Sequence, residues 1–126
     1  MSQTNPPARI VLGGYGPPNN TCSRGLKVLG DGMSARFGER VAVHYVWNVM
    51  DFGYKAADLL WMAECGVLSA TYQSTSYIAD RVPELDFVDL LFLFDSLPAA
   101  RAAIDGAFGA WMTRHIEARK IGRAHV

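Results

Sequence analysis

Residues 66–94, GVLSATYQSTSYIADRVPELDFVDLLFLF, decide the fold. Gly66 is followed by a short apolar run, 67–72, too brief for a helix and readable as a central strand of a parallel sheet. Ser74, Thr75, Ser76 and Tyr77 then stand in a row, each able to donate or accept a hydrogen bond. Ligands of open α/β sheets bind beyond the carboxyl ends of the strands, so this loop reads as one wall of a small-molecule cleft. A short helical turn over 77–81 stops at Pro83. The apolar run 87–94 is expected to form a further strand flanked by Asp86 and Asp89, with Phe92 and Phe94 in the core.

Upstream, the chain alternates. A strand is expected over 9–13 and a turn-rich loop over 13–20, with Asn20 or Thr21 capping the next helix. That helix runs to Phe37 and presents Cys22, Leu26, Leu29, Met33 and Phe37 on one face, with Gly30 and Gly32 weakening it and Gly38 placed to end it. A β-branched and aromatic strand follows over 40–47, then a loop over 48–53 and a helix over 54–64. Strand–helix–strand–helix–strand, with connections long enough for right-handed crossovers, is a doubly wound α/β half-unit. Downstream, Leu97, Ala100, Ile104, Ala107, Phe108, Trp111 and His115 recur at helical spacing, and Asp105-Gly106 is expected to split this stretch into two helices.

Composition narrows the function. The 126 residues are half apolar, enough for one core. Twelve basic and twelve acidic residues give a formal net charge of zero, which speaks against nucleic acid or an anionic membrane as partner. No apolar run approaches the ~20 residues a membrane-spanning helix needs, and the polar start MSQTNPPARI shows no leader. Cys22 and Cys65 lack metal spacing and are read as small apolar fillers on or at the end of a helix.

No motif reads as catalytic. The loop Gly13-Gly14-Tyr15-Gly16-Pro17-Pro18 follows a strand and opens a helix, as a dinucleotide fingerprint does, but Asn19 stands where the last glycine belongs. Its two prolines also have no N–H to offer a phosphate. A loop lining an open cleft is the better account, and no cofactor is called for. His44 reads as a half-buried strand residue, and no second histidine stands at helical spacing from His115, so no metal site is expected. Ser74 to Ser76 lack the G-x-S-x-G surroundings of a nucleophile.

Five features in order nonetheless resemble a known family. They are the glycine-led strand with Gln73-Ser74-Thr75-Ser76-Tyr77, then Val82-Pro83-Glu84-Leu85, Asp89 with the run to Phe94, Asp105-Gly106, and Gly109. Together with the preceding alternation they resemble the substrate-binding proteins of tripartite ATP-independent periplasmic (TRAP) transporters. The resemblance runs from about Arg9 to Arg119. It implies the first lobe of a two-lobe periplasmic-binding-protein-like α/β fold, a mostly parallel sheet flanked by helices, truncated before the second lobe. It implies a non-enzymatic, periplasmic protein that closes on a small organic acid and hands it to TRAP membrane subunits, without being membrane-embedded itself. Carried over residue by residue, the ligand-binding positions are Tyr15 from the first loop, Asn48 and Asp51 from the second, and Gln73, Ser74, Thr75, Ser76 and Tyr77 from the third. The carboxylate-pairing arginine of the family belongs to the absent lobe. Asn-Val-Met-Asp-Phe-Gly stands at 48–53 where the family commonly has Pro-x-x-Gln-Leu-Gly. A rival reading is a cytosolic α/β enzyme or ligand-sensing domain acting on a small anionic metabolite.

The expected organisation is a disordered lead-in over 1–8, a partial solute-binding lobe over 9–120 and a non-native tail over 121–126. The tail is unpatterned. One permitted back-translation of 120–126 contains the start of a common sequencing-library adapter, so read-through is expected there.

Overall fold

A computed structural model describes residues 5–121, so most of the expected tail and the first residues of the lead-in lie outside it. The chain divides after Gln73 into two compact units.

The first unit is built on a three-stranded parallel sheet. β1 (Ala8–Gly13) pairs with β2 (Val41–Val46) along its whole length, from Ala8 opposite Val41 to Gly13 opposite Val46. β3 (Ala70–Thr71) pairs with the end of β1, Leu12 opposite Ala70 and Gly13 opposite Thr71. The order is β2–β1–β3, so the central strand is β1 and the run chosen from sequence lies at an edge. That run is also shorter than expected. Gly66 takes φ +80°, a left-handed turn, and Val67 is exposed, so pairing begins only at Ala70. The gap is filled by Ser69, whose N–H donates to the Val11 carbonyl (2.7 Å) and whose Oγ accepts from the Val11 N–H (2.9 Å).

α1 (Thr21–Phe37) covers one face of the sheet. Asn20 caps it, its side chain accepting from the Ser23 N–H at 2.7 Å, and the Gly38 N–H closes its end on the Ser34 carbonyl. The buried side of α1 is Ser23, Leu26 and Gly30, rotated from the expected face, which leaves Cys22 and Phe37 exposed. Gly30 is where the helix touches the sheet: a Cβ there would meet the Tyr45 hydroxyl and Val43. The other face holds α2 (Leu59–Glu64), preceded by a single 3-10 turn at Ala56–Asp58. Leu59 and Met62 pack with Val49, Leu68, Val11 and Val46 as the core on that side. Asp58 fixes the start of α2, accepting from the Lys55 N–H (2.7 Å) and the Trp61 indole (3.0 Å). These two donors, the backbone one foremost, hold its carboxyl below the usual carboxylate range. At six residues α2 is roughly 9 Å long and cannot cover strands of roughly 20 Å. His44 is consequently exposed rather than half-buried. Cys65, at the end of α2, is exposed too, so neither thiol is a core filler; both are free.

The second unit is helical. One 3-10 turn spans Thr75–Tyr77, short of the expected 77–81, and a longer 3-10 segment spans Pro83–Asp89, burying Val82 and Leu85 completely. Ser96 caps α3 (Leu97–Asp105), and Gly106 separates it from α4 (Ala107–Ala118), as the Asp-Gly pair suggests. Trp111 of α4 stacks on Phe108 (5.8 Å between centroids) and meets Phe87 edge-on at 6.2 Å. The run 87–94 is not a strand. Phe92 has φ +60°, which no strand accommodates, and is 95% exposed. Phe94 packs edge-on against Phe108 at 6.0 Å, so only one of the two phenylalanines reaches a packed position. Asp86 and Asp89 therefore lie in the 3-10 segment and flank no strand.

Candidate functional site

The site is built where the three parallel strands end. Past β1 the backbone continues alongside the chain leaving β2: the Gly14 N–H donates to the Val46 carbonyl (3.0 Å), the Val49 N–H to the Gly14 carbonyl (2.9 Å) and the Gly16 N–H to the Trp47 carbonyl (3.2 Å). Tyr15 and Asn48 form an antiparallel bridge. Two loops far apart in sequence are thereby zipped together at the carboxyl edge of the sheet, and the half-buried Tyr15 and Asn48 are neighbours.

Asn48 is also the cap of the 3-10 turn Val49–Phe52. Its Oδ1 accepts from the Met50 N–H (3.1 Å) and its Nδ2 donates to Asp51 Oδ1 (3.3 Å). Gly53, in the left-handed region at φ +85°, ends that turn. Asp51 is exposed, so its carboxylate adds hydrogen-bond acceptors to the rim. Tyr15, Asn48 and Asp51 are brought together.

Gln73 follows β3 on the same rim but is turned inward. Its Nε2 donates to the Ala56 carbonyl at 3.0 Å, and its Oε1 is buried with no partner among the described residues. The side chain clamps the end of β3 to the approach of α2. Ser74, Thr75, Ser76 and Tyr77 continue directly from it into the second unit. There Ser74 and Thr75 are half-buried, Ser76 and Tyr77 exposed, and the Ser74 and Ser76 hydroxyls lie 3.0 Å apart.

Two residues that sequence reasoning passed over organise the first loop. Tyr72 had been absorbed into the apolar run, and Ser23 sits on the helix between Cys22 and Leu26 without a motif around it. The Tyr72 ring lies so close to Gly14 that a Cβ there would come within 2.8 Å of its Cζ, and it packs on Tyr15 with centroids 5.0 Å apart. Its hydroxyl accepts from the Tyr15 N–H at 3.2 Å and lies 3.4 Å from Ser23 Oγ. Ser23, fully buried, donates to the Gly16 carbonyl at 3.2 Å. Gly14 is thereby explained by the close approach of the Tyr72 ring.

A cavity of about 440 Å³ opens elsewhere, on the α2 face of the sheet, lined by Val11, Val46, Val49, Met62 and Leu68 with Arg9 among its residues. It lies where α2 is too short to cover the strands. No group of three His, Cys, Asp or Glu side chains among the described residues is arranged to hold a metal. No helix among them is long and apolar enough to cross a membrane.

Parallel strands with helices on both faces and loops gathered at the carboxyl edge define an open α/β architecture. Known structures share it. The chain superposes on a TRAP periplasmic solute binding protein from a Sulfitobacter species with bound β-D-galacturonate, with TM-score 0.78 and 17% identity over 88% of this chain. It is equally similar to one from a Polaromonas species bound to D-erythronate (TM-score 0.76, 22% identity, 89% of this chain). The sugar acid binding protein DctPAm from Advenella mimigardefordensis, in complex with galactonate, gives 0.79 and 23% identity over 90% of this chain. The chain spans 36% of the length of each. Its fold is thus that of one lobe of TRAP solute-binding proteins, in agreement with the resemblance drawn from the motifs. No protein-family model matches the sequence, and no characterised protein sequence does.

Proposed function

We propose that this chain is part of the extracytoplasmic solute-binding subunit of a TRAP-type secondary transporter, which captures a sugar acid in the periplasm and delivers it to membrane subunits. The observation that carries this reading is the zipped pair of loops at Tyr15 and Asn48, on the carboxyl edge of a sheet whose fold is shared with proteins that hold galacturonate, erythronate and galactonate. Tyr15, Asn48, Asp51 and the run from Gln73 to Tyr77 are the proposed contacts.

The rim chemistry favours a polyhydroxy acid over a bare dicarboxylate. Asp51 offers carboxyl oxygens that accept hydrogen bonds, which suits hydroxyl donors better than a second carboxylate. It therefore faces the polyol end of the solute. The acid end pairs with a cation from a second lobe, and closure buries the solute by selecting the conformation in which both ends are held. No step of this work is chemical, and no enzymatic role is assigned.

The test is titration of the 126-residue chain with galacturonate, erythronate, galactonate and succinate, followed by backbone amide resonances. Shifts at Tyr15, Asn48 and Thr75 with the three sugar acids, weak in affinity and absent with succinate, support the reading. No shift with any of them removes it. The rival enzyme reading is favoured instead if the neighbouring genes encode no large and small membrane subunits.

A further inference from the structure

We infer that Tyr72 is a positioning residue: its hydroxyl is the middle of a one-way hydrogen-bond relay that holds the Gly13–Gly16 loop in a single shape. The inference rests on the solute-binding reading, since it concerns the loop that carries Tyr15. The direction of the relay follows from counting protons. Ser23 has one hydroxyl proton and places it on the Gly16 carbonyl, 3.2 Å away. Its Oγ meets Tyr72 Oη at 3.4 Å, so the proton in that contact belongs to Tyr72. Tyr72 Oη in turn accepts the Tyr15 N–H at 3.2 Å. The chain reads Tyr15 N–H to Tyr72 O–H to Ser23 O–H to Gly16 carbonyl, and each hydroxyl both gives and takes once.

The relay begins and ends on the same loop, so it closes a ring through the end of β3 and the first turn of α1. Ser23 is fully buried and its own N–H is held by Asn20, which leaves the serine one orientation. Gly14 and Gly16 are required by this arrangement, since a Cβ on the first would strike the Tyr72 ring and on the second the Asn20 side chain. A loop so held loses little conformational freedom when a solute arrives, and that saving appears directly as affinity. The Tyr72 ring, tilted at 48° against Tyr15, sets the direction of the tyrosine that meets the solute.

Tyr72→Phe keeps the ring and removes the relay. We expect the Tyr15 amide to exchange with solvent about fivefold or more faster, with amides of the β1–β2 ladder such as Val43 unchanged. Affinity for galacturonate, read from the same amide resonances, should fall by a similar factor. Ser23→Ala should do the same, and the double variant should cost less than the product of the two, because both break one chain. A Tyr72→Phe chain whose Tyr15 amide exchanges at the wild-type rate overturns the relay. Faster exchange with unchanged galacturonate affinity overturns the positioning role. Wild-type chain that binds none of the sugar acids sinks the binding reading, and exchange then judges the relay alone.

Discussion

At the scale of single residues, the glycines of this chain divide sharply by what surrounds them. Gly30 lies against the Tyr45 hydroxyl, whereas Gly25, on the same helix, faces open space. Gly30→Ala is expected to destabilise the chain by about 1–3 kcal/mol through overpacking. Gly25→Ala should stabilise it by about 0.5–1 kcal/mol through helix propensity. Hydrogen exchange of the α1 amides in the two variants checks both signs at once, faster in the first and slower in the second. Phe92 is a third case: it is nearly fully exposed and holds φ +60°, a region asparagine tolerates and phenylalanine does not favour. Phe92→Asn should reduce aggregation measured by light scattering.

Glu84 shows how pH acts on one residue. Its carboxyl is held below the usual glutamate range, first by its own backbone N–H and then by Arg119, against an opposing push from burial. His115 Nδ1 lies 3.2 Å from the same oxygen and adds an ion pair when the ring is protonated. A depressed folded-state pKa means that the contribution is complete above the ordinary glutamate pKa and is lost as pH falls through the folded value. Urea melts of the wild-type chain should therefore weaken on acidification below about pH 4.5. Glu84→Gln should flatten that acid limb while lowering stability at neutral pH.

Among the elements, helix starts follow their caps. Ser96 accepts from the Ala99 N–H at 3.3 Å and is followed by Leu97-Pro98, a start signal plain in the sequence. Ser96→Ala is expected to cost about 1 kcal/mol, seen in circular dichroism melting as an earlier loss of helix. Strands follow a different rule. β1 and β2 were legible because both are rich in β-branched residues whose neighbours point to opposite faces, with Val43 and Tyr45 toward α1 and Val11 and Val46 toward α2. β3 was overdrawn and the run 87–94 was drawn as a strand that does not form, for one reason. Apolar β-formers announce burial, but pairing is decided by a partner elsewhere in the chain. Leu90, Leu91 and Phe92 have the composition of a strand, no strand pairs with them among the described residues, and all three are exposed.

For the molecule as a whole, each unit has buried side chains of its own, among them Leu12, Leu59 and Met62 in the first and Val82, Leu85 and Met112 in the second. Among the described residues the sheet has three strands whose outer members each lack a neighbour on one side, which leaves hydrogen-bonding edges open. The 126-residue chain is expected to melt broadly, without a sharp cooperative transition, in circular dichroism. A steep single transition would contradict this.

The sequence alone determined the alternation of strand and helix through β3, the break at Asp105-Gly106 and several of the turns. Those follow from local forces: periodicity, capping side chains, and glycine or proline at positions that need them. It also pointed to the three loops through their polar side chains. Tertiary structure decided that β1 is central, that Gln73 turns inward and that Tyr15 meets Asn48, and it brought Tyr72 and Ser23 to the glycine loop. These depend on pairing and packing between residues that the chain keeps apart, 17 positions for Gln73 and Ala56 and 57 for Tyr15 and Tyr72, and a linear pattern carries no record of which partner supplies the missing hydrogen bond.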